Sequence, residues 1–136
     1  MNPGDVFFWK GFTFPEEGNV SDKPAILLNA PKDHDPFIFV PGTSQAYRCR
    51  KEFAGCNTQE SYYFIQGQAQ VKNALFPKGT WILLDCAVMI LPSNLQACLS
   101  NGMVSPMGAL DKKVFSSLLM CAWTASDFEQ GYKVFL

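Results

Sequence analysis

Apolar residues in this chain come in short runs of strand length, divided by polar segments rich in Pro, Gly, Asp and Asn. Gly4-Asp5 leads into Val6-Phe7-Phe8-Trp9, an aromatic and β-branched run that predicts a first strand. Residues 13–22 are polar and read as a long loop. Pro24 then introduces a second strand, roughly Ala25 to Leu28. Pro31 and Pro36 bracket Asp33-His34-Asp35 in the next loop. A third strand, roughly Phe37 to Val40, is stopped by Pro41-Gly42. Thr43, Ser44 and Gln45 follow just past that strand end, where a rigid scaffold can present side chains to a ligand.

Residues 46–60 fit either a hairpin arm or a loop. Tyr62 to Ile65 is the next clear strand, and Thr80 to Ile90 the next strong one. Asp85 interrupts that last run; a carboxylate there must either emerge at a bend or be paired. Leu95 to Leu99 reads as a helical turn or a further strand. Ser105-Pro106 has the form of a helix start, and Leu110, Val114, Leu118 and Cys121 keep helical spacing, which predicts a helix over about 106–122. Tyr132 to Leu136 reads as one more short strand. The expectation is a mainly β, α+β chain forming a single domain over 1–136, finished by a C-terminal helix.

Composition adjusts this picture at three points. The formal net charge of −1 argues against coating nucleic acid by bulk electrostatics, although Arg48, Arg50 and Lys51 with Tyr47 form a local basic segment. Twelve Phe and only 17% charged residues leave apolar surface for a partner. Five cysteines without a C-x-x-C pair suggest neither a disulfide framework nor a zinc site. Cys86, Cys98 and Cys121 are expected to pack as small hydrophobes, while Cys49 and Cys56 flank the basic segment. No apolar run is long enough to span a membrane and the N-terminus has no signal-peptide order, so the expected location is cytoplasmic, with no membrane partner.

The order of motifs resembles the MazF/PemK family of toxins. Gly4-Asp5 before an aromatic strand, Lys23-Pro24-Ala25 opening an aliphatic strand, and Pro41-Gly42-Thr43-Ser44-Gln45 closing the third strand carry the likeness. Asp85 in a later strand and Gly102-Met103-Val104-Ser105 before the C-terminal helix continue it, while residues 46–79 match poorly. The resemblance implies a small SH3-like β-barrel of the MazF/PemK/CcdB type, a homodimer and a disordered antitoxin partner. It also implies metal-independent, cofactor-free cleavage of single-stranded RNA by attack of the 2′-hydroxyl on the adjacent phosphate. That chemistry needs a base, charge stabilisation on the phosphoryl oxygens and an acid for the leaving oxygen.

Carried over, the catalytic roles fall on Lys23 and Thr43. Ser44, Gln45, Asp85 and Arg48 become substrate-binding candidates, and Glu16 or Glu17 offers a carboxylate near the site. His34 matches no motif of the family and stays outside the set. The family has Arg where this chain has Lys23. Arg is a planar fork suited to a phosphate, Lys a point charge. Two expectations therefore stand side by side: an active ribonuclease, or a binding protein on the same fold that does not cut.

Overall fold

The computed structural model describes residues 1–13, 20–44, 55–66, 76, 79–128 and 130–136. Its strands are β1 (Asp5–Thr13), β2 (Val20–Leu27), β3 (Phe37–Thr43), β4 (Gly55–Asn57), β5 (Tyr62–Ile65), β6 (Thr80–Leu83), β7 (Val88–Ile90) and β8 (Val104–Ala109). Helices α1 (Pro92–Ser100), α2 (Lys112–Thr124) and α3 (Gln130–Lys133) complete it. The strands pair antiparallel in the order β4-β5-β6-β3-β2-β1-β8, with β7 joining β3 beside β6. The expected mainly β, α+β architecture is present.

Alternation along the strands divides the core in two. Val6, Ile26, Ile38, Val40, Ile65 and Ile82 point to one face, where α2 and the C-terminal segment cover them through Leu118, Ala122, Phe128 and Tyr132. Phe7, Trp9, Leu27, Phe39, Phe64 and Trp81 point to the other, and Leu95, Cys98 and Leu99 of α1 pack there. Edge-to-face contacts of Phe39 with Phe7 and Trp9, at centroid separations of 5.7 and 5.2 Å, hold that second cluster together.

Five expectations need correction. Pro41-Gly42 does not stop the third strand, because β3 runs through it to Thr43, and Thr80 to Ile90 is two strands, β6 and β7, divided by a 3₁₀ turn over Leu84–Cys86. The described strands do not close into a small SH3-like barrel, because the end strands β4 and β8 are not paired with each other. The chain between β7 and β8 is taken up by α1, which covers the aromatic face in place of a closing strand. Ser105-Pro106 does not begin a helix. Both residues lie in β8, whose one pairing partner among the described residues is β1, and an edge strand tolerates Pro. The helix starts later, where the Asp111 carboxylate accepts from the Lys113 N–H at 2.9 Å as its N-cap. Tyr132 to Leu136 is not a strand, since Tyr132 and Lys133 belong to the short helix α3.

The cysteine expectation also changes. Cys56 on β4 and Cys121 on α2 form a disulfide with Cα atoms 5.5 Å apart, which the cysteine spacing did not suggest, and Cys121 packs in the apolar core as one half of it. Cys86 and Cys98 take no part in that disulfide and sit in or against the aromatic cluster. No helix among the described residues is long and apolar enough to cross a membrane.

Candidate functional site

The β2–β3 hairpin fixes the site by register. Ala25 pairs with Pro41, Ile26 with Val40 and Leu27 with Phe39. Continued two residues toward the open end, that register faces Lys23 with Thr43. Their side chains meet: the Lys23 ammonium donates to Thr43 Oγ1 at 3.2 Å across twenty residues of sequence. Two further strands flank this pair, because Trp9 of β1 is the backbone partner of Lys23 and Trp81 of β6 that of Thr43. The result is a rung Trp9–Lys23–Thr43–Trp81 across four strands, with both indoles buried in the aromatic cluster.

Gly42 sets how closely the rung can approach its neighbours. A Cβ there would stand 2.9 Å from Thr80 Cγ2, 3.1 Å from Ile82 Cδ1 and 3.4 Å from Pro24 Cγ. Only a residue without a side chain lets β3 lie this close to β6 and to Pro24. Thr43 is 5% exposed, whereas Lys23 is half-buried, so the ammonium is the more accessible partner. A cation and a hydroxyl held together at a strand end form a site for an anionic oxygen, on a phosphate or a carboxylate.

The structure joins some of the sequence candidates and separates others. Lys23 and Thr43 are together, and Ser44 follows in an exposed bend. Asp85 does emerge at a bend, a 3₁₀ turn over Leu84–Cys86. Its place is past the end of β6, whose Trp81 is the backbone partner of Thr43. Asp85 Oδ1 there accepts a 3.5 Å contact from the Cys86 thiol. His34 is exposed in the loop at the closed end of the hairpin, away from the pair. Glu16, Glu17, Gln45 and Arg48 lie outside the described residues.

Sequence reasoning did not single out Trp9, Trp81 or Gly42 as parts of the site. The signal for the two Trp is only their place in apolar runs, and cross-strand partners cannot be read before register is known. Among the described residues no group of three or more His, Cys, Asp or Glu is placed to hold a metal ion. No protein-family model matches the chain, and no curated protein matches it.

Proposed function

We propose that the protein is the toxin of a toxin–antitoxin pair, an endoribonuclease that cuts single-stranded RNA without a metal ion at the Lys23–Thr43 pair. The observation that carries this reading is the 3.2 Å contact between the two groups to which the family resemblance assigns catalysis. In the proposed reaction the ribose 2′-oxygen attacks the adjacent phosphorus as the bond to the 5′-oxygen breaks. The products are a 2′,3′-cyclic phosphate and a 5′-hydroxyl, the leaving 5′-oxygen taking its proton from solvent water. Charge building on the phosphoryl oxygens is met by the Lys23 ammonium, and Thr43 holds that ammonium in register while offering its hydroxyl to a phosphoryl oxygen. Glu17 is the carboxylate proposed to accept the 2′-hydroxyl proton, and Ser44, Gln45 and Arg48 are proposed to hold the strand.

A second reading is favoured by one specific feature. Thr43 is almost fully buried and already accepts from Lys23, which also suits a structural pair in a binding protein that does not cut. Incubation of the purified chain with long single-stranded RNA in excess EDTA separates the two. The ribonuclease reading expects discrete fragments ending in 2′,3′-cyclic phosphate. Lys23→Ala and Thr43→Ala should each lower the rate by about 100-fold or more with the thermal transition retained. Intact RNA across varied sequences overturns the ribonuclease reading. Cleavage by Lys23→Ala at the parent rate removes Lys23 from the mechanism.

A further inference from the structure

Lys10 and Gly11 of β1 stand opposite the single residue Asp22 of β2, because Trp9 pairs with Lys23 and Phe12 with Ser21. This is a β-bulge, and it directly adjoins the strand position of Lys23. Gly11 takes the left-handed conformation that such a bulge uses, at φ 66°. Its N–H donates to Asp22 Oδ1 at 3.0 Å. Up to Lys10, β1 is held from both sides. Trp9 pairs with Val104 of β8 as well as with Lys23, and the Lys10 N–H donates to the Met103 carbonyl at 2.8 Å. Gly11 lies beyond the β8 pairing, and the bond to Asp22 ties the bulge to β2 there. On the other side of β2, the partners run from Leu27–Phe39 to Ala25–Pro41 and stop two residues short of Lys23. The Lys23 backbone is therefore set from β1, through Trp9 and the bulge beside it.

We propose that Asp22 is a positioning residue, whose hold on the Gly11 bulge keeps the Lys23 ammonium on Thr43. Successive side chains along a strand point to opposite faces, so the carboxylate acts on Lys23 through the backbone and not as its counter-ion. A bulge bends its strand and increases the local twist, which re-aims the side chains beside it. Without the Asp22 oxygen the Gly11 N–H turns to water, and the bulge can migrate along β1. One step toward Trp9 would pair Gly11 with Asp22 and Lys10 with Lys23. Lys23 would then lose Trp9 as its partner and face a second ammonium across the strands, an unfavourable pairing of like charges. The Asp22–Gly11 bond thus selects the register that leaves Lys23 level with Thr43. The inference deepens the proposed ribonuclease site and rests on that reading for its effect on cleavage alone.

Two substitutions in the full chain separate the hydrogen bond from the charge. Asp22→Asn keeps an oxygen for the Gly11 N–H and Asp22→Ala does not, while both remove the same charge at an exposed position. In amide NMR spectra the Gly11 proton should stay near its parent position in Asp22→Asn and move upfield in Asp22→Ala. Asp22→Ala should bind inorganic phosphate about fivefold more weakly than Asp22→Asn, the worth of one such hydrogen bond. It should also cut single-stranded RNA in excess EDTA about tenfold more slowly than Asp22→Asn, with the thermal transition retained. Equal phosphate affinity in the two variants overturns the proposal, as does a parent chain with no affinity for phosphate. So does a loss in Asp22→Ala that comes with a lowered thermal transition, which would make the bond structural only. A parent chain that leaves RNA intact removes the ribonuclease reading instead, and the Gly11 shift and the phosphate comparison then decide the role of Asp22.

Discussion

The side-chain amide of Asn29 uses its nitrogen and its oxygen at once. Its Nδ2 donates to the carbonyls of Pro36 at 3.0 Å and Phe135 at 3.2 Å, and its Oδ1 accepts from the Ile38 N–H at 2.9 Å. One buried residue thereby closes the loop after β2 and ties the last residues of the chain to the sheet. Asn29→Ala leaves buried backbone groups without partners, so unfolding in urea should show a loss of about 2–3 kcal/mol. Gly42 makes a different demand at the same scale. Gly42→Ala drives a methyl into Thr80 Cγ2, which should cost about 1–3 kcal/mol and move Thr43 off the Lys23 ammonium. If the proposed reaction is right, RNA cleavage falls with it. Thr80→Ser in the Gly42→Ala background removes the nearest methyl and should recover part of the stability; no recovery would mean that Ile82 or Pro24, not Thr80, sets the spacing.

Elements were legible where burial enforced a period and misread where local chemistry had two uses. Each of the four expected strands up to Ile65 is present, because runs such as Phe37 to Val40 place side chains on two buried faces at once. The resemblance singles out Lys23 and Thr43, and the β2–β3 register brings them level, with Pro24 and Pro41-Gly42 lying inside strands that start at Val20 and run on to Thr43. The failure at Ser105-Pro106 is instructive. Ser before Pro serves a helix start equally well as an edge strand, and the pairing of Ser105 with Phe8 and of Pro106 with Phe7 decides between them. The cap that is used, Asp111, gives a direct check: Asp111→Ala should cost about 1 kcal/mol in thermal or urea unfolding. Ser105→Ala should stay within about 0.5 kcal/mol, and equal costs for the two would return Ser105 to a capping role.

At the scale of the whole molecule the disulfide was the least legible feature, because 65 residues separate Cys56 from Cys121 and only the docking of α2 against β4 brings them together. A second tie runs parallel to it. Ser61, buried and in the left-handed region at φ 56°, donates its hydroxyl to Asp127 Oδ2 at 2.8 Å, so the turn between β4 and β5 is held to the segment after α2. The consequences of the two ties differ. The hydrogen bond acts in the folded chain alone, while the disulfide restricts the unfolded chain, and closing a loop of this length is worth about 4 kcal/mol on chain-entropy grounds. Such bonds persist in oxidising surroundings and are reduced in the cytoplasm of most cells. The oxidised chain should therefore yield a peptide joining Cys56 to Cys121 on proteolytic mapping. Reduction with a dithiol, or Cys56→Ser, should lower the urea midpoint by the equivalent of about 4 kcal/mol, with β4 the first strand to exchange its amide hydrogens because it is three residues long and sits at the sheet edge. A midpoint unmoved by reduction would show that Ser61–Asp127 and the packing of α2 hold the hairpin without the covalent link.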